Sequence, residues 1–252
     1  MEPLCVPHGA EDPKLIGISG RIGFGKDTLA SILQETLHPE GQNYEIVPFA
    51  LNVKKVVSIM TGTTLEQNLS REGKSIAVHA FPFVPDDCEQ VVAILTGTTP
   101  EQNSSPDEKL KIPPGFSKTL GEYQAIVRTW INSLRVGKTL GEYQQLVGQG
   151  MRDVVQSDVW VQGALRAPAP FKIIPDVRYP GEVDAIEQNG GIVIRLERPD
   201  HLITVHDARD KNHSSEISLN DRKFKYVVQN DGTLQDLKER GLRTIADFMV
   251  EK

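Results

Sequence analysis

The sequence predicts an α/β fold of three layers, a parallel sheet flanked by helices with an irregular and helical region inserted into it. Three observations predict it. Short apolar runs recur at 14–19, 44–49, 171–174, 192–196 and 225–228, the length and character of strands buried on both faces. Most are followed by a turn and then a helical pattern, the alternation that favours parallel pairing. The chain of 252 residues, 38% hydrophobic and 25% charged, suits one α/β domain with an inserted subdomain.

The first strand, Leu15-Ile16-Gly17-Ile18, runs into a loop holding Gly20, Gly23 and Gly25, then Lys26, Asp27 and Thr28. A helix follows, with Leu29, Ala30, Ile32 and Leu33 on one face, and His38-Pro39-Glu40-Gly41 stops it. Strand, glycine loop, lysine and helix form the order of a phosphate-binding loop. Glycines let backbone N–H groups turn inward around phosphate oxygens. The helix N-terminus adds partial positive charge, and Lys26 reaches the outer phosphates. Gly20-x-x-x-x-Gly25-Lys26 is intact, but Asp27 stands where a hydroxyl usually ligates Mg²⁺, and Thr28 comes one later. Asp27 either binds the ion, directly or through water, or orients the acceptor phosphate.

Tyr44–Phe49 reads as the second strand, and 50–60 as a helix carrying Val53, Lys54 and Lys55 at the sheet edge where ligands sit. The two lysines read equally well as a solvated helix face. The middle of the chain repeats itself. VVSIMTGTTLEQN at 56–68 returns as VVAILTGTTPEQN at 91–103, and KTLGEYQ at 118–124 returns at 138–144. The offsets, 35 and 20 residues, rule out a solenoid of one period. Pro-rich and polar pieces lie between the repeats. They make 70–118 an expected irregular, surface-lying insertion, within a duplicated or inserted segment of about 70–137. The copy at 138–144 is expected to keep the core role, and the earlier one to extend a helix or cover a face.

Farther on, 139–153 reads as a helix, and Ser157 or Asp158 as the cap of the next, with Val159, Trp160 and Leu165. Phe171–Ile174 is a strand that runs into Pro175-Asp176-Val177-Arg178, with Glu182 beyond. An acid and a base at the carboxyl end of a strand mark a site, or else an ion pair that fixes the loop. A helix from Glu182 ends at Gly190-Gly191, and Ile192–Leu196 is the next strand. The polar stretch 199–216, with Arg198, Arg209, Lys211, His206 and His213 in or beside it, reads as a cationic cover or as an exposed loop. The last strand, 225–228, turns through Gln229-Asn230-Asp231-Gly232 into a helical region at 233–250.

A net charge of −6 and a pI near 5.6 argue against a general nucleic-acid binder. Cys5 and Cys88 provide no metal framework and suit a reducing compartment. No apolar run reaches the roughly 20 residues of a membrane span. Residues 1–13 read as a loose tail without a signal-peptide core. The expectation is a cytoplasmic protein with no membrane or nucleic-acid partner; a homodimer stays open.

Five blocks together resemble the phage- and virus-type deoxynucleoside monophosphate kinases: SGRIGFGKDT, FALNVKKVVSIMTG, LVGQGMRDVVQSDVWV, IIPDVRYPGEVDAIEQNGGIVIRLERP, and HSSE with VVQNDGTL. The resemblance implies a P-loop NTPase fold, with residues 14–252 as the kinase domain, and transfer of the ATP γ-phosphate to a dNMP. It also implies roles. Gly23, Gly25, Lys26, Asp27 and Thr28 would hold ATP and Mg²⁺, with Gln229 and Asn230 near the adenine. Arg21 and Ile22 would face the monophosphate from the loop crest. Val53, Lys54, Arg71, Gly148, Gln149, Arg152, Trp160, Asp176, Arg178 and Glu182 would bind the dNMP. Lys26, Asp27, Asp176 and Arg178 would be catalytic. Two departures stand out: Gly141 where the family usually has Arg, and Gln149 where it has Thr. Arg135, Lys138 or Arg152 would then supply the missing cation. The alternatives are a P-loop kinase of another small phosphorylated acceptor and a nucleotide-binding protein whose catalytic site has eroded.

Overall fold

The structure, a computed structural model, describes residues 13–38, 41–70, 72–82, 87–98, 117–203 and 217–251. They fall into two compact units, one of residues 1–48 with 169–252 and the other of 49–168. The expected insertion of about 70–137 lies inside the second unit, which begins earlier, at Phe49.

The first unit is α/β. Its strands are β1 (Leu15–Ser19), β2 (Glu45–Ile46), β3 (Lys172–Val177), β4 (Ile192–Glu197) and β5 (Tyr226–Gln229). Every pairing is parallel and the order is β2-β3-β1-β4-β5. β1 is therefore central, and its five residues are all buried. Side chains alternate across it. Ile16 and Ile18 join a core with Leu29, Ala30 and Leu33 of α1 (Lys26–Thr36) and Leu237, Ile245 and Met249 of α9 (Leu234–Glu251). Gly17 faces the other way. A Cβ there would come within 2.7 Å of Ile186 on α8 (Pro180–Gln188), which covers the opposite face. Fully burying each aliphatic side chain in such a core is worth roughly 1.5–3 kcal/mol. The second strand is shorter than Tyr44–Phe49. As the edge of the sheet it has one neighbour, and only Glu45 and Ile46 pair with β3. Tyr44 still enters the core edge-on to Phe171 and donates its hydroxyl to the Pro13 carbonyl.

The second unit is helical: α2 (Phe49–Thr61), α3 (Leu65–Leu69), α4 (Asp87–Thr96), α5 (Leu120–Ser133), α6 (Leu140–Val154) and α7 (Val159–Leu165). Here the repeats become intelligible. α2 packs on α6 and α4 on α5, so one repeated helix pair sits nested in sequence inside the other. Both copies keep the same local bonds. Thr61 donates to the Val57 carbonyl at 2.7 Å and meets the Thr63 hydroxyl at 2.8 Å; Thr96 repeats this with Val92 and Thr98, each at 2.8 Å. Thr119–Glu122 and Thr139–Glu142 close identical capping boxes on α5 and α6.

This corrects the expectation for 70–118. Asp87–Thr96 is a helix, and Val91, Val92 and Leu95 lie at the centre of the unit's core, not on a surface loop. The earlier KTLGEYQ copy likewise opens a helix whose Val127 and Ile131 are buried. Residues 1–12, 99–116 and 204–216 lie outside the described residues.

Candidate functional site

The glycine loop is shaped by backbone that only glycine tolerates well. Gly25, the N-cap of α1, has φ 91°, and a Cβ on it would lie 2.6 Å from the Asn230 amide nitrogen. A Cβ on Gly20, φ 154°, would lie 2.9 Å from the Leu196 carbonyl oxygen. Between them Phe24 drops into the core as an anchor, and its N–H bonds to the Arg21 carbonyl at 3.2 Å. The Lys26 ammonium folds back over the loop, donating to the carbonyls of Gly20 at 2.7 Å and Arg21 at 3.0 Å.

Beside the loop opens a cavity of about 580 Å³. Ile22, Gly23, Gly25, Lys26, Asp27 and Thr28 line it, and so do Asp176, Arg178 and Asn230. Loop and acid–guanidinium pair therefore share one hollow. It sits at the carboxyl ends of β1 and β3, the neighbouring strands after which the ligand-binding edge of an open parallel sheet is built. Ionic groups of both signs meet there: Lys26, Arg178 and Arg198 with Asp27 and Asp176.

Arg178 is held from behind. Glu182, nearly fully buried on α8, accepts the backbone N–H of Arg178 at 2.7 Å and of Tyr179 at 3.0 Å. It closes the capping box of that helix, with Pro180 entering at its first turn. Glu182 is thus a support for the turn carrying Arg178 and does not line the cavity. Arg21, exposed at the loop crest, does not line it either. Gln229 is exposed; its side-chain amide donates to Glu197 at 2.7 Å and its backbone carbonyl accepts from Arg240 at 2.5 Å. Arg240 also pairs with Asp231 at 2.6 Å, holding that carboxyl below the usual range.

Sequence reasoning missed part of the wall: Pro175, Leu202, Gly232, Thr233, Leu234 and Leu237. A signal for the last group was present. Thr233-x-x-Asp236 is a capping pattern, and the Thr233 N–H and hydroxyl both donate to Asp236 at 2.7 Å, which starts α9 at the cavity rim. Arg198 belonged to the expected cationic cover; its Nε is anchored on the Leu202 carbonyl at 3.1 Å. His206, Arg209, Lys211 and His213 lie outside the described residues, as does Arg71.

The remaining expected residues belong to the helical unit, and four of them, Val53, Gly148, Arg152 and Trp160, meet at one turn of α6. The Gly148 carbonyl accepts the Trp160 indole N–H at 2.8 Å and the Arg152 guanidinium at 3.3 Å. A Cβ on Gly148 would lie 3.8 Å from Val53. Trp160 is buried, so it packs the turn and offers no open ring face. Gln149 points to solvent, bonded to Asp153 at 2.7 Å. Lys54 is half-buried on α2. Of the three candidate substitute cations, Arg135 and Lys138 are exposed and Arg152 is half-buried beside Gly148.

Among the described residues no group of three or more His, Cys, Asp or Glu forms a metal cage, and no helix is long and apolar enough to cross a membrane. Compared with protein-family models and with curated proteins, the chain matches none.

Proposed function

We propose that this chain is a P-loop kinase that passes the γ-phosphate of ATP to a deoxynucleoside monophosphate, giving dNDP and ADP. One observation carries the reading: Lys26 and the glycine loop line the same cavity as Asp176 and Arg178. A triphosphate tail suits a glycine loop that ends at a helix N-terminus with an ammonium beside it, features that favour anions. The oxygens of Asp27 and Thr28, both lining the cavity, are the hard donors that Mg²⁺ accepts. This ion commonly takes one or two protein oxygens along with substrate phosphates. When bound, it supplies neutralisation of charge on the transferring group.

The chain's own residues account for the rest. Lys26 neutralises the outer phosphates. Arg178, fixed through Glu182, meets charge on the phosphoryl group or the acceptor. Asp176 orients the acceptor from the strand end. The acceptor oxygen of a monophosphate is already anionic, so positioning and charge neutralisation suffice without a strong general base.

The test is a coupled assay of ADP release with ATP and each of the four dNMPs and matching NMPs. Turnover with at least one dNMP is expected. Turnover only with another class of phosphorylated acceptor would replace the substrate, and ATP binding without turnover would leave a binding protein.

A further inference from the structure

We infer that Asn230 is the positioning residue of the glycine loop, a clamp from the far end of the chain that sets the loop's shape before any ligand arrives. The inference rests on the phosphate-binding role proposed for that loop. Asn230 is 5% exposed. Its side-chain amide donates to the Phe24 carbonyl at 2.9 Å, across 206 residues of sequence. Its own backbone N–H is tied to the Glu197 carbonyl at 2.7 Å, so the side chain projects from a fixed base at the end of β5.

The contact falls on the peptide that joins Phe24 to Gly25. Gly25 has its φ of 91° there, and its missing Cβ leaves the space that the Asn230 amide fills. Clamp and glycine are thus complementary: one requires the other's lack of a side chain. Holding the Phe24 carbonyl on Asn230 fixes the plane of the peptide whose other end is the Gly25 N–H. A peptide is planar, so carbonyl and N–H directions are set together. A loop whose N–H groups are aimed in advance binds an anion without first losing conformational freedom. Asn230 also reaches the cavity wall, so loosening it would be felt at the phosphate site and not only in the core.

Asp and Ala separate this role from mere space filling. Asp has the shape of Asn but sets an acceptor against the Phe24 carbonyl; Ala leaves a gap without repulsion. Hydrogen–deuterium exchange of residues 20–28 is measured without nucleotide, and ATP affinity by calorimetry, at pH 8 for wild type, Asn230→Asp and Asn230→Ala. The expected order of loop exchange is Asp fastest, Ala intermediate and wild type slowest. ATP affinity should fall at least tenfold in Asn230→Asp and less in Asn230→Ala. Filling alone predicts that Asp resembles wild type and Ala is worst; that order, or equal loop exchange in all three, overturns the inference. Should Asn230→Asp not fold, Asn230→Leu, which keeps the bulk and removes the donor, takes its place: loop exchange faster than wild type supports the clamp, and exchange equal to wild type overturns it. Failure of wild type to bind ATP, with the exchange order intact, would sink the kinase reading and leave the clamp.

Discussion

The α/β unit and the helical unit use sequence in opposite ways. In the first, unlike segments far apart in the chain converge on one short loop: Phe24 and Gly25 meet Asn230, and Lys26 shares a hollow with Asp176 and Arg178. In the second, nearly identical segments make the same local bonds twice, and α2 with α6 and α4 with α5 form two versions of one helix pair. The copies then diverge where they touch. Gly148 and Gly150 of α6 correspond, at the 20-residue offset, to Arg128 and Trp130 of α5. The Trp130 ring occupies the space a side chain on Gly150 would need, 2.0 Å from its would-be Cβ. One copy stays small and keeps the turn on which Trp160 and Arg152 converge; the other supplies bulk to pack against it. Duplication here provides core, and the proposed chemistry falls to the unrepeated residues.

If so, damage to the first unit should remove activity and damage to the repeats should remove stability. The largest effect is expected from Lys26→Ala, a loss of about 10³-fold or more in kcat/KM, with the melting temperature little changed. Next comes Leu95→Ala in the α4 copy, buried to 1% exposure. It should cost about 2–5 kcal/mol in urea unfolding; a value near zero would return that segment to the surface. Gly150→Leu should cost about 1–3 kcal/mol through overpacking against Trp130, and pairing it with Trp130→Ala should recover part of the loss. Thr119→Ala and Thr139→Ala should each cost about 1 kcal/mol, the two being alike because their caps are alike.

The smallest effect is one of pH. Backbone and hydroxyl hydrogen bonds from Thr119 and Thr139 hold the Glu122 and Glu142 carboxyls below their usual range. A depressed folded pKa gives stability that is present above the unfolded value, about 4.3. It is lost as pH falls through the folded one. Glu122→Gln with Glu142→Gln should therefore flatten the acid limb of a melting-temperature profile below about pH 4, with the two single variants contributing equally.

These contrasts also explain what could be read from residues alone. β1, its loop and α1 were legible because the apolar run, the glycines and the helical period are all local. So was Asp176-x-Arg178 at a strand end. The helix at Asp87–Thr96 was not, because VVAIL between proline-rich pieces has no distinctive period and its burial comes from partners on α2, α5 and α7. Spacing alone puts Glu182 with Asp176 and Arg178 at the pocket, whereas its carboxylate accepts the backbone N–H groups of Arg178 and Tyr179. The resemblance places Asn230 near the adenine, and the local sequence says nothing of its tie to the glycine loop. Its hydrogen bond to Phe24 depends on β5 closing the sheet beside β4, which no window around residue 230 encodes.

The most direct measurement compares dNDP formation from ATP by wild type and Arg178→Ala, with ATP affinity followed in parallel. Transfer within the hollow that joins the loop to Arg178 predicts turnover by wild type and a loss of about 10²–10³-fold in kcat in the variant, with ATP still bound. Equal turnover in the two proteins would contradict it.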